Sequence, residues 1–286
     1  MQHFLPANPD KFAYTAVSPF KTISVSIVLA IALSGLTANA EPTYQLSADK
    51  QGWGDAGNAD LTKVLRSSCD AIAQHLGETK LAEPIRVRHD AEGPITLFRR
   101  TVRGEIIVEL SSRDLFWCQH AYQMAHEFCH VLCKFREGGR DNLWFEESLC
   151  ELASMFALRS MADSWKTKPP YPNWKSYADS IRDYVADLEK KHSLPESQTA
   201  AAYYREHAEH LKKSPTDRLK NGTIALALLP HFEKHPQAWQ SLRHLNSGRG
   251  KDNLPFSEHL KNWHDECPEK HRSFVKDLAG QLGIKF

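Results

Sequence analysis

The sequence predicts an α+β chain, and three observations carry that reading. Runs of β-branched and large apolar residues lie at 85–89, 95–100 and 105–110. Two long apolar stretches at helical spacing follow, at 114–135 and 143–161. The remainder, 175–286, reads as helices broken at Pro195, Pro215, Pro230, Pro236, Pro255 and Pro268.

Taken in order, the chain opens with an apolar run at 23–36, preceded by Lys21 and followed by Thr37-Ala38-Asn39-Ala40. The run is shorter than the ~20 residues a bilayer core requires, and Ala38 and Ala40 fit an A-x-A cleavage site. Residues 1–40 are therefore expected to be a Sec-type signal peptide, cleaved after Ala40. The mature chain is then exported, periplasmic or extracellular, with no stable membrane insertion. Residues 41–60, rich in Gly, Asp and Asn, read as a surface lead-in without periodicity. Apolar residues at 61, 64, 65, 69, 72, 73 and 76 predict a helix that Gly77 can end. The three strand-like runs are punctuated by Gly93-Pro94 and Arg103-Gly104, and their short connections predict antiparallel neighbours. The helix over 114–135 has Ser111, Ser112 or Asp114 at its start and Gly138-Gly139 beyond its end; Asp141 or Asn142 caps the next one. Residues 166–174, with three prolines, read as a linker or loop. The expected organisation is an α+β part over 41–165 and a helical C-terminal subdomain over 166–286.

A formal net charge of +1 gives no reason to propose nucleic acid or an anionic membrane as a partner. Fifteen histidines in 286 residues invite a metal reading while raising the rate of chance motifs. The mature chain holds Cys69, Cys118, Cys129, Cys133, Cys150 and Cys267, whose pairing the sequence cannot rank. A chain of this size does not need disulfides in place of a core.

Residues 126–130 read His-Glu-Phe-Cys-His, the H-E-x-x-H pattern. On a helix, His126 and His130 share one face a turn apart, so both imidazoles can ligate one ion. Glu127 sits to the side, where it can reach a water on the metal without occupying a metal position. Gln119, Gln123, His126 and His130 fall within a stripe about 60° wide, and nearly every other direction of this helix is apolar. A helix that is apolar almost all round is buried, so that stripe must meet groups that satisfy it. The following helix opens Trp144-Phe145-Glu146-Glu147-Ser148-Leu149-Cys150-Glu151 and must pack back on the first. Glu147 and Glu151, at i and i+4, share a face: one can ligate the metal while the other accepts the second ring N–H of a ligating histidine. Glu146 points about 100° away and suits a solvated helix start. Cys133 and Cys150 lie near the site and can pack, form a disulfide, or supply a thiolate ligand. His231 and His235, also at i and i+4, lack a glutamate between them and sit between Pro230 and Pro236; they read as coincidence.

These two segments together resemble the zincin metallopeptidases, specifically the gluzincin branch, over roughly residues 105–155. Members read like W-L-N-E-G-x-A-E at the second helix. The resemblance implies a zincin-like fold, a small mixed sheet packed on the active-site helix, and one zinc ion held by His126, His130 and Glu147. Glu127 is then the catalytic base and Glu151 the acid supporting a ligating histidine. It also implies an edge strand that pairs with extended substrate, expected over Glu105, Ile106, Ile107, Val108, Glu109 and Leu110. A downstream tyrosine or histidine stabilises the oxyanion in this family; Tyr203 or Tyr204 fits best by position, with His207, His210 and His231 as alternatives. The sequence departs from the pattern in carrying Glu146 for asparagine and Ser148 for glycine, and no Gly-x-Met-Glu-Asn motif assigns an aminopeptidase. The expected function is zinc-dependent hydrolysis of peptide bonds in a peptide or protein substrate. The rivals are a non-catalytic exported binding protein on a zincin scaffold and a zinc hydrolase of a non-peptide bond.

Overall fold

The computed structural model describes residues 43–78, 80–135, 140–247 and 254–286. The signal peptide expected at 1–40, with its cleavage site after Ala40, and the Gly138-Gly139 helix stop lie outside the described residues. Residues Thr43–Phe286 form one compact unit. Its elements are β1 (Leu46–Ala48), α1 (Asn58–Ala73), β2 (Ile85–His89), β3 (Ile95–Arg100), β4 (Ile106–Leu110), α2 (Trp117–Leu132), α3 (Leu143–Ser164), α4 (Tyr177–His192), α5 (Ala200–Lys213), α6 (Arg218–Lys234), α7 (Phe256–Glu266) and α8 (Glu269–Gln281). The chain is thus α+β, with a small mixed sheet followed by helices.

The strand order is β1-β2-β4-β3. β1 and β4 both pair parallel to β2, and only β3 and β4 are antiparallel. The expectation of antiparallel neighbours holds for the β3–β4 hairpin alone. There Gly104, at φ 78°, allows the turn, and the amides of Gly104 and Glu105 bond within it. β2 misleads because its sequence neighbour β3 lies beyond β4. β1 was hidden in the lead-in: three residues are too short for periodicity to register, yet Tyr44, Leu46 and Trp53 are buried. Every residue of β4 is buried, as a strand paired on both sides and covered by α2 requires. It is therefore not the sheet edge expected at Glu105–Leu110. β3 is, and it leaves Ile95 and Phe98 exposed.

α1 buries Leu61, Val64, Leu65, Cys69 and Ile72 along the predicted face. α2 and α3 form the centre of the molecule, and both are apolar nearly all round because both are surrounded. α3 packs on α1, α2, α4 and α6, so the boundary expected at 165/166 is spanned by packing. Trp165 and Trp174 meet at 5.7 Å across the proline-rich segment. Pro230 lies inside α6 rather than ending it. Phe145, Phe256 and Trp263 pack ring against ring and tie α7 to the start of α3.

Candidate metal centre

The i, i+4 spacing on α2 sets the rings of His126 and His130 5.1 Å apart. Packing α3 against α2 brings Glu147 between them. Its Oε2 lies 3.3 Å from Nε2 of His126, and its Oε1 3.6 Å from Nε2 of His130. Metal–ligand bonds of about 2.0–2.2 Å in a tetrahedral arrangement put ligand atoms about 3.4 Å apart; each imidazole is about that far from Glu147, but from a different one of its two oxygens.

The two outer ring nitrogens face different acids. Nδ1 of His130 is 2.7 Å from Oε1 of Glu146. Glu146 is held in turn by Nδ2 of Asn246 at 2.7 Å, and the same amide donates to the carbonyl of Cys133 at 2.9 Å. Glu146 is thus buried and bonded, not a solvated helix start. The angular reading was right that it lies on another face from Glu147. It missed that an imidazole presents nitrogens on opposite sides, so acids from two faces of α3 meet one ring. Nδ1 of His126 is 3.8 Å from Oε1 of Glu151, beyond hydrogen-bond length, and Tyr122 donates its hydroxyl to the other oxygen of Glu151. Glu151 therefore stands where the sequence puts it, but the direct histidine–acid bond is made by Glu146.

Glu127 is buried, and Thr96 Oγ1 on the edge strand donates to its Oε2 at 2.7 Å. β3 thereby reaches over the site. Of the polar stripe on α2, Gln123 is taken up by the amides of Ser111 and Ser112, at 3.0 and 3.1 Å. The remaining histidines meet the acids.

Electrostatics favour a cation. Burial works against charge on His130, but the hydrogen bond and charge of Glu146, then Glu127 and Glu147, outweigh it and take its pKa up to about 10. Burial raises Glu147, yet its bond to His126 and the charges of His130, His126 and Arg218 hold it below the usual carboxylate value. Burial pushes Glu151 up to about 7, opposed by Arg218 and Lys191. Four glutamates crowd two imidazoles; a bound proton, or a metal ion, compensates them.

Among the described residues, the donors whose ligand atoms all lie within 4.8 Å of one another are His126, His130 and Cys150, and all three are buried. Cys150 is three residues after Glu147 on α3, so it approaches the same rings from an adjacent direction. Its thiol is fully buried and pushed well up by that burial, whereas Glu147 is held ionised. All six cysteines are free and buried, so the disulfide entertained for Cys133 and Cys150 is not formed.

The oxyanion candidates are found in the following surroundings. Tyr204 stacks on Trp144 at 5.2 Å and packs on Phe256 at 5.1 Å; Tyr203 packs on His207 at 4.5 Å. Among the described residues neither phenol bonds to the histidines or to Glu127. The ring of His231 is occupied by Phe274, through its carbonyl at 3.2 Å and a stacked contact at 4.4 Å, in keeping with coincidental spacing. His210 pairs with Asp217 at 2.7 Å. Sequence reasoning missed Thr96 on β3, Asn246 between α6 and α7, and Tyr122, which lies on α2 itself four residues before His126 but whose partner Glu151 is on α3. No helix of the described residues is long and apolar enough to cross a membrane. No family model, curated protein or solved structure matches this chain.

Proposed function

We propose that this chain is a zinc-dependent peptidase of the gluzincin type, exported after loss of a leader, acting on peptide or protein substrates. The observation that carries the reading is the carboxylate of Glu147 straddling the two Nε2 atoms, at 3.3 and 3.6 Å. His126, His130 and Glu147 would hold the ion, leaving the fourth position that a hydrolytic zinc site needs. Zinc bound there supplies Lewis acidity, which acidifies water and polarises a carbonyl. Glu127 takes a proton from the attacking water and delivers it to the leaving amine. Thr96 orients Glu127, and Glu146 fixes the tautomer and direction of His130. The exposed edge for main-chain pairing with an extended substrate is β3, with Ile95 and Phe98 beside it.

The test is zinc content of the purified protein together with digestion of a mixed peptide library, with and without chelator. Stoichiometric zinc and chelator-sensitive cleavage are expected, with zinc kept and cleavage lost in Glu127→Gln. Full activity in that variant would remove Glu127 from the mechanism. One observation favours the non-catalytic reading: if Cys150 joins the other three ligands, the ion is closed off by protein. Zinc bound without any cleavage would favour that outcome.

A further inference from the structure

Among the described residues six large apolar side chains are exposed, and three of them, Ile95, Phe98 and Val102, lie on β3 and the turn that follows it. Phe98 is 54% exposed. Apolar side chains left in water and gathered on one strand mark a surface that meets a ligand.

Two local features fix where Phe98 stands. Thr96, two residues before it, bonds Glu127 at 2.7 Å and pins the strand to the centre. Two residues of strand span about 6.6 Å, so Phe98 follows closely on the residue that holds Glu127. On α2 the chain stops at Lys134, which takes φ 54°. The amide of Lys134 bonds the carbonyl of Val131 at 3.2 Å, and that of Phe135 returns to the carbonyl of His130 at 3.1 Å. This helix stop sets Phe135 against the turn that carries His130. Phe98 and Phe135 then stack, with ring centroids 5.8 Å apart and planes 26° from parallel. The pair joins the strand that holds Glu127 to the helix end that carries His130. Arg100 braces it: its guanidinium lies 5.3 Å from the Phe135 ring, its Nε bonds Glu83 at 2.6 Å, and its Nη1 donates to the carbonyl of Phe98 at 3.1 Å.

The same stretch shortens the edge available for main-chain pairing. β3 pairs with β4 at Ile95, Thr96 and Arg100, and the register shifts between the last two. Nη1 of Arg100 also reaches the carbonyl of Leu97 at 3.5 Å. With the carbonyls of Leu97 and Phe98 engaged, a ladder between β3 and an extended peptide is interrupted beyond Thr96, and recognition there falls to side chains.

We infer that Phe98, backed by Phe135, is a specificity-determining surface that receives a large apolar or aromatic side chain of the substrate, at one position within two residues of the scissile bond. The inference rests on the hydrolytic reading of the neighbouring centre. Covering the exposed ring removes apolar surface of both partners from water, and an aromatic partner adds an offset or edge-on ring contact.

Peptides with one central sequence test it, each of the two positions on either side of the scissile bond carrying Phe, Leu or Ala in turn. The zinc-loaded protein, Phe98→Ala and Phe98→Leu are compared by the ratio of kcat/KM for the Phe and Ala peptides at each position. The same peptides are titrated calorimetrically into zinc-loaded Glu127→Gln protein with and without Phe98→Ala, which reads binding without turnover. One position is expected to favour Phe over Ala by about tenfold or more, the scale of burying a large apolar side chain. In Phe98→Ala the ratio at that position falls to about twofold or less, Phe98→Leu keeps more of it, and both variants still bind stoichiometric zinc. Cleavage with no preference for Phe at any of the four positions, an unchanged ratio in Phe98→Ala, or an equal loss on every peptide would overturn this inference and leave the peptidase reading standing. Zinc-loaded protein that neither binds nor cleaves any of the peptides removes both.

Discussion

Glu146 lies 2.7 Å from Nδ1 of His130, on the far side of a ring whose Nε2 faces Glu147. One imidazole thus joins two adjacent residues of α3, one positioned as a ligand and the other as the acid that holds the ring. Outer partners of this kind carry roughly 10–100-fold in metal affinity. Glu146→Ala is expected to weaken zinc by that factor, read by competition with a chromophoric chelator. Glu146→Gln keeps an acceptor and should lose less. Unchanged affinity in the alanine variant would leave Glu146 with a structural part only.

The third ligand is separable by substitution. Glu147→Gln should lose zinc by at least ~100-fold, because a charged ligand is removed. Cys150→Ala should keep it, at a stability cost of about 1 kcal/mol for the small space left in the core. Zinc loss in the cysteine variant with retention in the glutamine variant would reverse the assignment, making Cys150 the third ligand in place of Glu147.

Thr96→Val preserves shape and removes the hydroxyl that bonds Glu127. A loss of about 1 kcal/mol in positioning corresponds to roughly a fivefold fall in kcat. Zinc content should not change. A fall in zinc content with kcat per bound zinc intact would place Thr96 outside the chemistry.

The metal-free protein should lose stability as pH rises. The pKa of His130 is raised from 6.5 to about 10, so its contribution is complete below about 6.5 and disappears as pH climbs through about 10. Glu151, raised from 4.5 to about 7, acts in the same direction across its lower window. Zinc must displace the His130 proton, so stabilisation by zinc should grow over the same range. Thermal melts with and without zinc between pH 6.5 and 9.5 measure both trends. In Glu146→Gln the pH dependence of the metal-free protein should flatten; persistence of the full slope there would mean that Glu146 is not its source.

Gly222 offers a test of the helical core away from the site. An alanine in a helix interior normally gains about 1 kcal/mol over glycine. Here an added Cβ would lie 2.3 Å from Nδ1 of His192, which is buried. Gly222→Ala is therefore expected to destabilise by about 1–3 kcal/mol in urea unfolding, and His192→Ala in the same chain should recover part of it. A stabilised single variant would mean that His192 moves aside freely.

Much of this arrangement was legible in the chain before folding. Periodicity located α1, α2 and α3 because burying a helix face demands apolar residues at that spacing, and the i, i+4 histidines needed only helix geometry to converge. Glu147 and Glu151 followed from the same rule on α3. What the linear pattern did not contain was adjacency between elements. β1 is too short to show a period, and β4 became interior only because β2 pairs with it across the intervening β3. Thr96 on Glu127 and Asn246 on Glu146 each join residues distant in sequence, while the tyrosines at 203 and 204 pack against aromatic rings. The sequence by itself determined which residues face one another within a helix. Only the tertiary structure decided which elements meet, because that choice depends on how whole apolar faces bury against each other and not on any local spacing.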